Sequence, residues 1–195
     1  MATACLWLKV YQHLTPDLLK PIVEEAHKAG TEAVGHSHDA KEAVLAGLKF
    51  IEHATPVAHA TLGDAAKIKA MDENRLRTPE ADMNPALFGP LIELMLRNRV
   101  YFNPTLTRSW IDALPKRARW LNEAADLIDS PAYRFIPAAR REFWLRAVRE
   151  ESKADPRMME AVKKLQEFTR RYADAGGRLC GQRRSPDCGY ADQHE

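Results

Sequence analysis

The sequence has little cysteine and no long apolar run, and both shortages exclude whole classes of protein. Its three cysteines, Cys5, Cys180 and Cys188, are unevenly spaced and form no Cys-x-x-Cys motif. We therefore expect reduced thiols rather than a disulfide scaffold or a thiolate zinc site. No apolar run reaches the ~18 residues of a membrane span, and the first residues lack the basic region of a secretory signal. These absences favour a cytoplasmic protein without a membrane partner.

An excess of charge of either sign is also absent. Lys and Arg number 29 against 27 Asp and Glu, which gives a formal net charge of +2. Nucleic-acid-binding surfaces and polybasic membrane patches usually carry a larger basic excess, so we expect neither partner. The 195 residues are 45% hydrophobic and 29% charged. This composition is typical of a single globular domain with a buried core.

The first third of the chain alternates between strand and helix patterns. Short apolar runs predict strands over 5–11, 31–35 and 48–51. Helix patterns separate them, over 16–30 and 39–47, each with a cap residue before it and glycine at its end. The β-α-β-α-β order with short connections predicts parallel neighbouring strands.

The first of these helix patterns contains a proline at a position that a regular helix disfavours. Thr15 and Pro16 are typical of a helix start, but Pro21 lies a few residues inside the pattern. Because proline removes one backbone hydrogen bond, we expect a loose first turn or a helix that starts at Pro21.

The rest of the chain adds helix patterns over 64–74 and 85–98 and strands over 100–104 and 178–180. Residues 107–175 hold aromatic side chains among dense charge and no strand pattern, which predicts two or three inserted helices. The last of these helices opens at Asp155-Pro156, and one face of it gathers Met158, Val162, Leu165, Phe168 and Tyr172.

Polar residues stand at the ends of the first three predicted strands. The first strand contains Lys9, the second is followed by His36 and His38, and the third is followed by His53. Because the carboxyl ends of parallel strands share one rim, these side chains should converge there. Neutral imidazole is a common ligand of zinc, manganese and nickel. We expect the rings of His36 and His38 to lie on opposite sides, so that one of the two binds the metal. His59, in the loop after the third strand, lies near the same rim.

Each of these residues also has a simpler interpretation. A single histidine at a strand end is more often a hydrogen-bonded structural residue than a metal ligand. Lys9 would then be an edge residue with its stem packed and its ammonium in solvent. We interpret His27 as a helix-surface residue and His194 as part of the tail.

Four segments in a specific order strengthen the metal interpretation: Leu8-Lys9-Val10-Tyr11, Ile22 to Gly30, Val34-Gly35-His36-Ser37-His38 and Phe50-Ile51-Glu52-His53. In this order and spacing they resemble the amidohydrolase superfamily, above all its imidazolonepropionase-like and prolidase-like members. The resemblance covers residues 6–62 strongly and continues to Gly177 through the segment Asn103-Pro104-Thr105-Leu106-Thr107.

The resemblance implies a metal-dependent TIM (β/α)8 barrel that hydrolyses carbon–nitrogen bonds of small molecules such as amides, cyclic amides or dipeptides. In binuclear members a carboxylated lysine on strand four bridges two divalent ions, and Lys9 corresponds to it. The metal-binding histidines of strands five and six correspond to His36 and His53. The implied cofactor is a divalent metal, zinc first, with one ion or two. Tyr11 and His38 are expected to contact substrate, and a plain loop role for His38 stays open.

Two parts of the family pattern are absent from this sequence. The His-x-His pair of strand one would lie upstream of Lys9, and the strand-eight aspartate would follow Leu179, where the chain reads Cys180-Gly181-Gln182. We therefore expect an α/β fold that is a partial barrel of about strands 4–8, with 107–175 as a helical insertion or lid. The catalytic residue stays unknown, and we interpret 181–195 as a non-native tail produced by a reading-frame error.

Two other functions stay open. One is a catalytically inactive remnant that acts as a binding or assembly module, with a homo-oligomer formed through the exposed edge of the first strand. The other is a helix-rich protein that recruits a partner through the aromatic side chains of 107–175. Otherwise the expected partner is a small-molecule substrate. A chain without the missing ligands should bind a metal weakly and turn over slowly or not at all.

Overall fold

The sheet of this protein is parallel and follows the order of the chain. A computed structural model describes residues 7–11, 14–76, 78–107, 126–127, 130–149 and 156–180. Within them five strands pair in the order β1-β2-β3-β4-β5, all parallel. The strands are β1 Trp7–Val10, β2 Glu32–Gly35, β3 Phe50–Glu52, β4 Tyr101–Asn103 and β5 Arg178–Leu179. The parallel order confirms the predicted α/β class and is consistent with a partial α/β barrel.

Helices connect the strands, because a parallel pair needs a crossover between its two members. They are α1 Pro16–Lys28, α2 Ala40–Leu45, α3 Thr55–Thr61, α4 Ala65–Asp72, α5 Phe88–Arg97, α6 Ala138–Arg149 and α7 Pro156–Asp174, with 3-10 turns at Pro79–Asp82, Pro85–Leu87 and Pro131–Phe135. No helix in this described part of the chain is both long enough and apolar enough to cross a membrane.

The cap predicted before α2 is present, whereas Thr15, predicted as the cap of α1, makes no side-chain hydrogen bond to the helix start. Asp39 accepts a hydrogen bond from the Glu42 backbone N–H at the start of α2, and Asp64 accepts from the Ala66 N–H at the start of α4, each at 2.8 Å. The alternative that α1 begins at Pro21 is wrong. This helix starts at Pro16 and runs through Pro21, whose exposed position lets water reach the carbonyl that the proline leaves without a donor.

The two faces of the sheet carry different side chains. Alternate positions such as Ala33, Ile51 and Phe102 face the helices and are fully buried in the main core. The opposite face holds a small apolar cluster of Val34, Phe50 and Cys180, with Trp7 and Tyr101 packed against it. Farther along the strands, toward their carboxyl ends, that same face becomes polar. The alternation of strand side chains therefore aims a polar surface away from the main core.

Helix α7 presents the apolar face that its sequence predicts. Val162, Leu165, Phe168 and Tyr172 are all buried. The Phe168 ring meets the Phe102 ring edge-on at 5.8 Å between centroids, so α7 packs against the helix-facing side of β4. The interpretation of 107–175 as an insertion or lid stays a prediction, because parts of this range lie outside the described residues.

One helix of the fold was not predicted, and one expectation about the cysteines needs correction. The turn of helix α3 was not predicted, since its seven residues combine proline, two threonines and small residues without a helical apolar stripe. The expectation of reduced thiols is wrong for Cys180, which is disulfide-bonded. The three cysteines of the sequence can form at most one disulfide bond within the chain. The predicted tail, 181–195, lies outside the described residues.

Replacing Tyr172 with Phe should destabilise the fold. The Tyr172 hydroxyl donates a hydrogen bond of 2.5 Å to the Val100 carbonyl, and burial raises the pKa of this phenol to about 12. Loss of the hydroxyl leaves a buried carbonyl without that donor, so the free energy of unfolding should fall by about 1–3 kcal/mol. Chemical denaturation measures the change. The control is Tyr11→Phe, whose side chain is exposed, and an equal loss in both variants would contradict this assignment.

Candidate metal centre

Three side chains meet at the carboxyl ends of β2 and β3. His36 follows β2, Glu52 is the last residue of β3, and His53 comes next. The sheet pattern continues through their backbones, because the His36 N–H donates to the Val10 carbonyl at 3.2 Å and the His53 N–H to the Asn103 carbonyl at 2.8 Å. One ligand atom from each side chain lies within 4.8 Å of the others. We call His36, Glu52 and His53 the strand-end cluster.

The Glu52 carboxylate is the centre of this cluster. Its Oε2 atom lies 2.7 Å from Nε2 of His36 and 2.9 Å from Nζ of Lys9. The Glu52 side chain is only 10% exposed, whereas that of Lys9 is 50% exposed. The His36 and His53 rings meet edge-on with their centroids 4.5 Å apart. A buried carboxylate is costly unless it is paired, and here an ammonium and an imidazole share it.

The backbone around His53 adopts an uncommon conformation. His53 has φ 69° and Thr105, after β4, has φ 48°, both in the left-handed region. Such a conformation is rare for a β-branched residue and tends to occur at functional sites. Nδ1 of His53 and Oγ1 of Thr105 lie 3.1 Å apart and share a hydrogen bond. That bond joins the ends of two adjacent strands and fixes the orientation of the His53 ring.

Gly35 allows the close approach that brings Lys9 to Glu52. A Cβ atom at Gly35 would lie 2.3 Å from the Val10 carbonyl oxygen and 3.3 Å from Cγ of Lys9. The residue also has φ 131°, which L side chains rarely adopt. Only glycine therefore fits between β1 and the His36 turn.

A second group, the α3–α4 cluster, consists of His38, His59 and Asp72. Nε2 of His38 and Nε2 of His59 lie 2.7 and 3.0 Å from the same atom, Oδ1 of Asp72. The other ring nitrogen of His59, Nδ1, lies 2.7 Å from Oδ2 of Asp39. The hydrogen bond that His59 donates to Asp39 raises the pKa of its imidazole most, and the bond to Asp72 adds to this against the opposing effect of burial. The hydrogen bonds from His38 and His59 lower the pKa of Asp72.

Both clusters border one cavity of about 630 Å³. Its wall also includes Tyr11, Ser37 and Thr105, and the side chains of Met158 and Leu165 contribute an apolar part. The Tyr11 ring lies 4.6 Å from that of His36. The Ser37 hydroxyl is buried and has no hydrogen-bond partner among the residues that the structure describes. The volume suits a small molecule rather than a polymer.

The structure brings Lys9, His36 and His53 together, as the sequence predicts. It places His36 in the strand-end cluster and His38 in the α3–α4 cluster. Tyr11 lies at the cavity. His27 lies on the surface, 2.8 Å from Glu32, as interpreted.

Three carboxylates take part in the two clusters although the sequence did not predict it. Glu52 was quoted within a motif but given no role, although a charge inside a buried strand signals a paired group. Asp39 was assigned only as a helix cap, and it also contacts His59. Asp72 has no local sequence signal, because its role arises from the packing of α4 beside α3.

Three solved structures are similar to this chain at low identity. The chain matches no protein-family model and no curated protein. A Xaa-Pro dipeptidase with bound methionine in the active site has 17% identity and a TM-score of 0.39, covering 86% of this chain and 28% of its own length. An A. niger ochratoxinase has 16% identity and a TM-score of 0.41, with coverages of 86% and 25%. An uncharacterized protein has 17% identity and a TM-score of 0.35, with coverages of 85% and 27%. The chain thus spans about a quarter of the length of each.

Replacing Glu52 with Gln should destabilise the protein more than removal of a surface charge. The amide keeps the shape but leaves the Lys9 ammonium and His36 without their shared carboxylate. A loss of about 1–3 kcal/mol in the free energy of unfolding is expected. Urea denaturation measures it. The matched control is Glu25→Gln, because Glu25 pairs with Lys28 on the exposed face of α1 and should matter by less than about 1 kcal/mol. Equal losses of stability in the two variants would contradict the role of Glu52 as the shared partner of Lys9 and His36.

The raised pKa of His59 predicts a pH-dependent stability. Because the folded pKa lies above the unfolded value of about 6.5, this stabilisation is full below about pH 6.5 and is lost as pH rises through the folded pKa. With EDTA present, the free-energy difference between the protein and His59→Asn should shrink as pH rises. Asp39→Asn should weaken this dependence, since the Asp39 contact is its main cause. A difference that grows with pH would contradict the assignment.

Proposed function

We propose that this chain carries the metal site of a hydrolase that cleaves carbon–nitrogen bonds of small molecules with a metal-activated water. The observation that carries the proposal is the strand-end cluster. His36, Glu52 and His53 meet at the carboxyl ends of parallel strands and border a cavity of about 630 Å³. Catalytic residues collect at this end of parallel α/β sheets and barrels.

The donor set of the strand-end cluster fits a divalent transition metal. Two imidazoles and one carboxylate are the ligand types that zinc takes in catalytic sites. Thr105 holds the His53 ring through Nδ1, so that Nε2 is the nitrogen suited to a metal bond. Residues that hold a ligand in this way tune the affinity of a metal site. His36, Glu52 and His53 would therefore hold the ion, and zinc is our first candidate.

Lys9 has two possible chemical forms at this site. As an ammonium it neutralises Glu52 at 2.9 Å and holds the carboxylate in place. As a carbamate it would set a second anion against Glu52, and the two would repel unless a cation lay between them. Carboxylation of Lys9 and metal binding should therefore depend on each other, and bicarbonate should strengthen metal binding.

A bound divalent ion would supply Lewis-acid polarisation of the scissile carbonyl and a water of lowered pKa. Residues of the chain would bind and orient the substrate. Glu52 can accept hydrogen bonds on Oε2, which lies 2.7 Å from Nε2 of His36. Tyr11, at the cavity wall, and the buried Ser37 hydroxyl can donate hydrogen bonds to a polar substrate. Met158 and Leu165 shape the apolar end of the cavity and favour an apolar substituent on that substrate.

A binding module without catalysis is the second candidate. The strand-eight aspartate of the resembled family acts as general base. Here the described chain has Cys180, not a carboxylate, directly after β5. A cavity that binds a metal and a small molecule but lacks this base would retain a ligand without turning it over. Slow or absent turnover, with metal binding intact, is the signature of this candidate.

Replacement of His36 or His53 by Asn separates these functions. The purified chain is assayed with zinc or cobalt, with and without bicarbonate, on dipeptides, N-acyl amino acids and cyclic amides. Metal-dependent hydrolysis should fall more than about 100-fold in either variant, because even a residue behind a metal ligand contributes about 10–100-fold. The control is His27→Asn, a surface histidine outside both clusters.

Three outcomes are informative. Metal-dependent turnover lost only in the His36 and His53 variants supports the hydrolase. Metal and substrate binding without turnover, lost in the same variants, supports the binding module. Absence of metal binding at His36 and His53 would contradict both.

A further inference from the structure

We propose that the α3–α4 cluster is a second metal site, which binds one divalent transition-metal ion through His38, His59 and Asp72. It shares no residue with the strand-end cluster. The proposal therefore does not rest on the proposed hydrolase function, and either site can exist without the other.

The ligand atoms already converge. Nε2 of His38 and Nε2 of His59 approach one carboxylate oxygen of Asp72 at 2.7 and 3.0 Å. All three ligand atoms lie within 4.8 Å of one another, and the two rings are 4.4 Å apart between centroids. An ion with metal–ligand bonds of about 2.0–2.2 Å needs its ligand atoms at such separations. Two imidazoles with one carboxylate also match the ligand preference of zinc and its neighbours.

Asp39 supplies the orientation that a metal-binding histidine needs. Its Oδ2 atom lies 2.7 Å from Nδ1 of His59, and its Oδ1 atom accepts the Glu42 backbone N–H at 2.8 Å. Asp39 is buried, so both of its oxygens are held in place by the fold. A carboxylate on one ring nitrogen fixes the tautomer and directs the lone pair of the other toward a metal. Nε2 of His59 is thereby the ligand atom.

The charge of the cluster suits a dication. Asp39 and Asp72 carry two negative charges beside two imidazoles. When the imidazoles are neutral, an ion of charge +2 balances both carboxylates. A bound ion would displace the protons that join Nε2 of His38 and Nε2 of His59 to Oδ1 of Asp72, and these would leave to solvent while each neutral ring keeps one proton on Nδ1. His38 and Asp72 have side chains 46% and 48% exposed, so an ion can enter from the cavity side.

The proposed ion would join three separate elements. His38 lies in the turn after β2, His59 lies on α3, and Asp72 ends α4. A metal bond to each would fasten α4 to the rim of the sheet. Because both clusters border the same cavity, a ligand in it would meet one metal site on each side.

Cobalt and zinc binding to the full chain test the proposal. The variants are Asp72→Asn for this site and His36→Asn for the strand-end site, and bound metal per chain is measured after removal of free ion. The unchanged protein should hold two ions, and Asp72→Asn should lose one while it keeps the ion that His36→Asn removes. Thermal unfolding of His36→Asn should still shift upward with Zn²⁺, and that shift should vanish when Asp72→Asn is added.

Asp39→Asn tests the role of Asp39 as a positioning residue. Asparagine caps a helix about as well as aspartate, so α2 should stay intact while the charge behind His59 is lost. Cobalt affinity of this site should fall about 10–100-fold. The matched control is Asp64→Asn, which changes the cap of α4 in the same way but lies outside both clusters, and it should leave the affinity unchanged.

The outcomes distinguish this proposal from the proposed function. If Asp72→Asn binds as many ions as the unchanged protein with unchanged affinity, the second site is refuted. If a single ion is bound and only His36→Asn removes it, the second site is refuted as well. If a single ion is bound and only Asp72→Asn removes it, the second site is supported and the metal of the proposed hydrolase site fails.

Discussion

The arrangement of the strand-end cluster depends on one buried carboxylate. Glu52 ends β3 on the side of the sheet that points away from the main core, and it pairs there with Lys9 and His36. A buried carboxylate without partners would strongly destabilise the fold. Strands β1, β2 and β3 must therefore align so that Lys9 and His36 reach Glu52. The register, the glycine at position 35 and the turn at His36 all serve this alignment. The same charge makes the cluster attractive to a cation.

Parallel pairing explains why chemistry collects at this edge. Each of β1 to β4 ends at the same rim, and the residues just beyond those ends leave the sheet in conformations that regular strands do not use. His53 and Thr105 take the left-handed region, and their hydrogen bond ties two such turns together. This strain is stable because the helices on the opposite face, with α7 seated on Phe102, hold the strands rigidly. The core therefore fixes the geometry of the strand-end cluster.

Much of this fold follows from local pattern, and much of the site does not. The strands, the parallel order and the apolar face of α7 can be predicted from hydrophobic periodicity and helix capping, which are patterns of a few neighbouring residues. Lys9, His36 and His53 could be placed because strand ends share a rim. Asp72 could not, because its contacts with His38 and His59 depend on how α4 packs beside α3. The hydrogen bond from His59 to Asp39 could not be predicted either, because the sequence indicates only a helix cap at Asp39.

The segment His36-Ser37-His38 shows how one short turn serves two sites. Side chains two residues apart in a continuing strand would share a face, but the chain leaves β2 at Gly35 and the two rings diverge. His36 then joins the carboxylate of Glu52, and His38 joins that of Asp72. Ser37 remains between them with a buried hydroxyl at the cavity wall. A polar molecule that enters the cavity would thus meet a hydroxyl donor flanked by two clusters whose carboxylates attract cations, so an anionic group would be favoured there only once cations occupy the clusters.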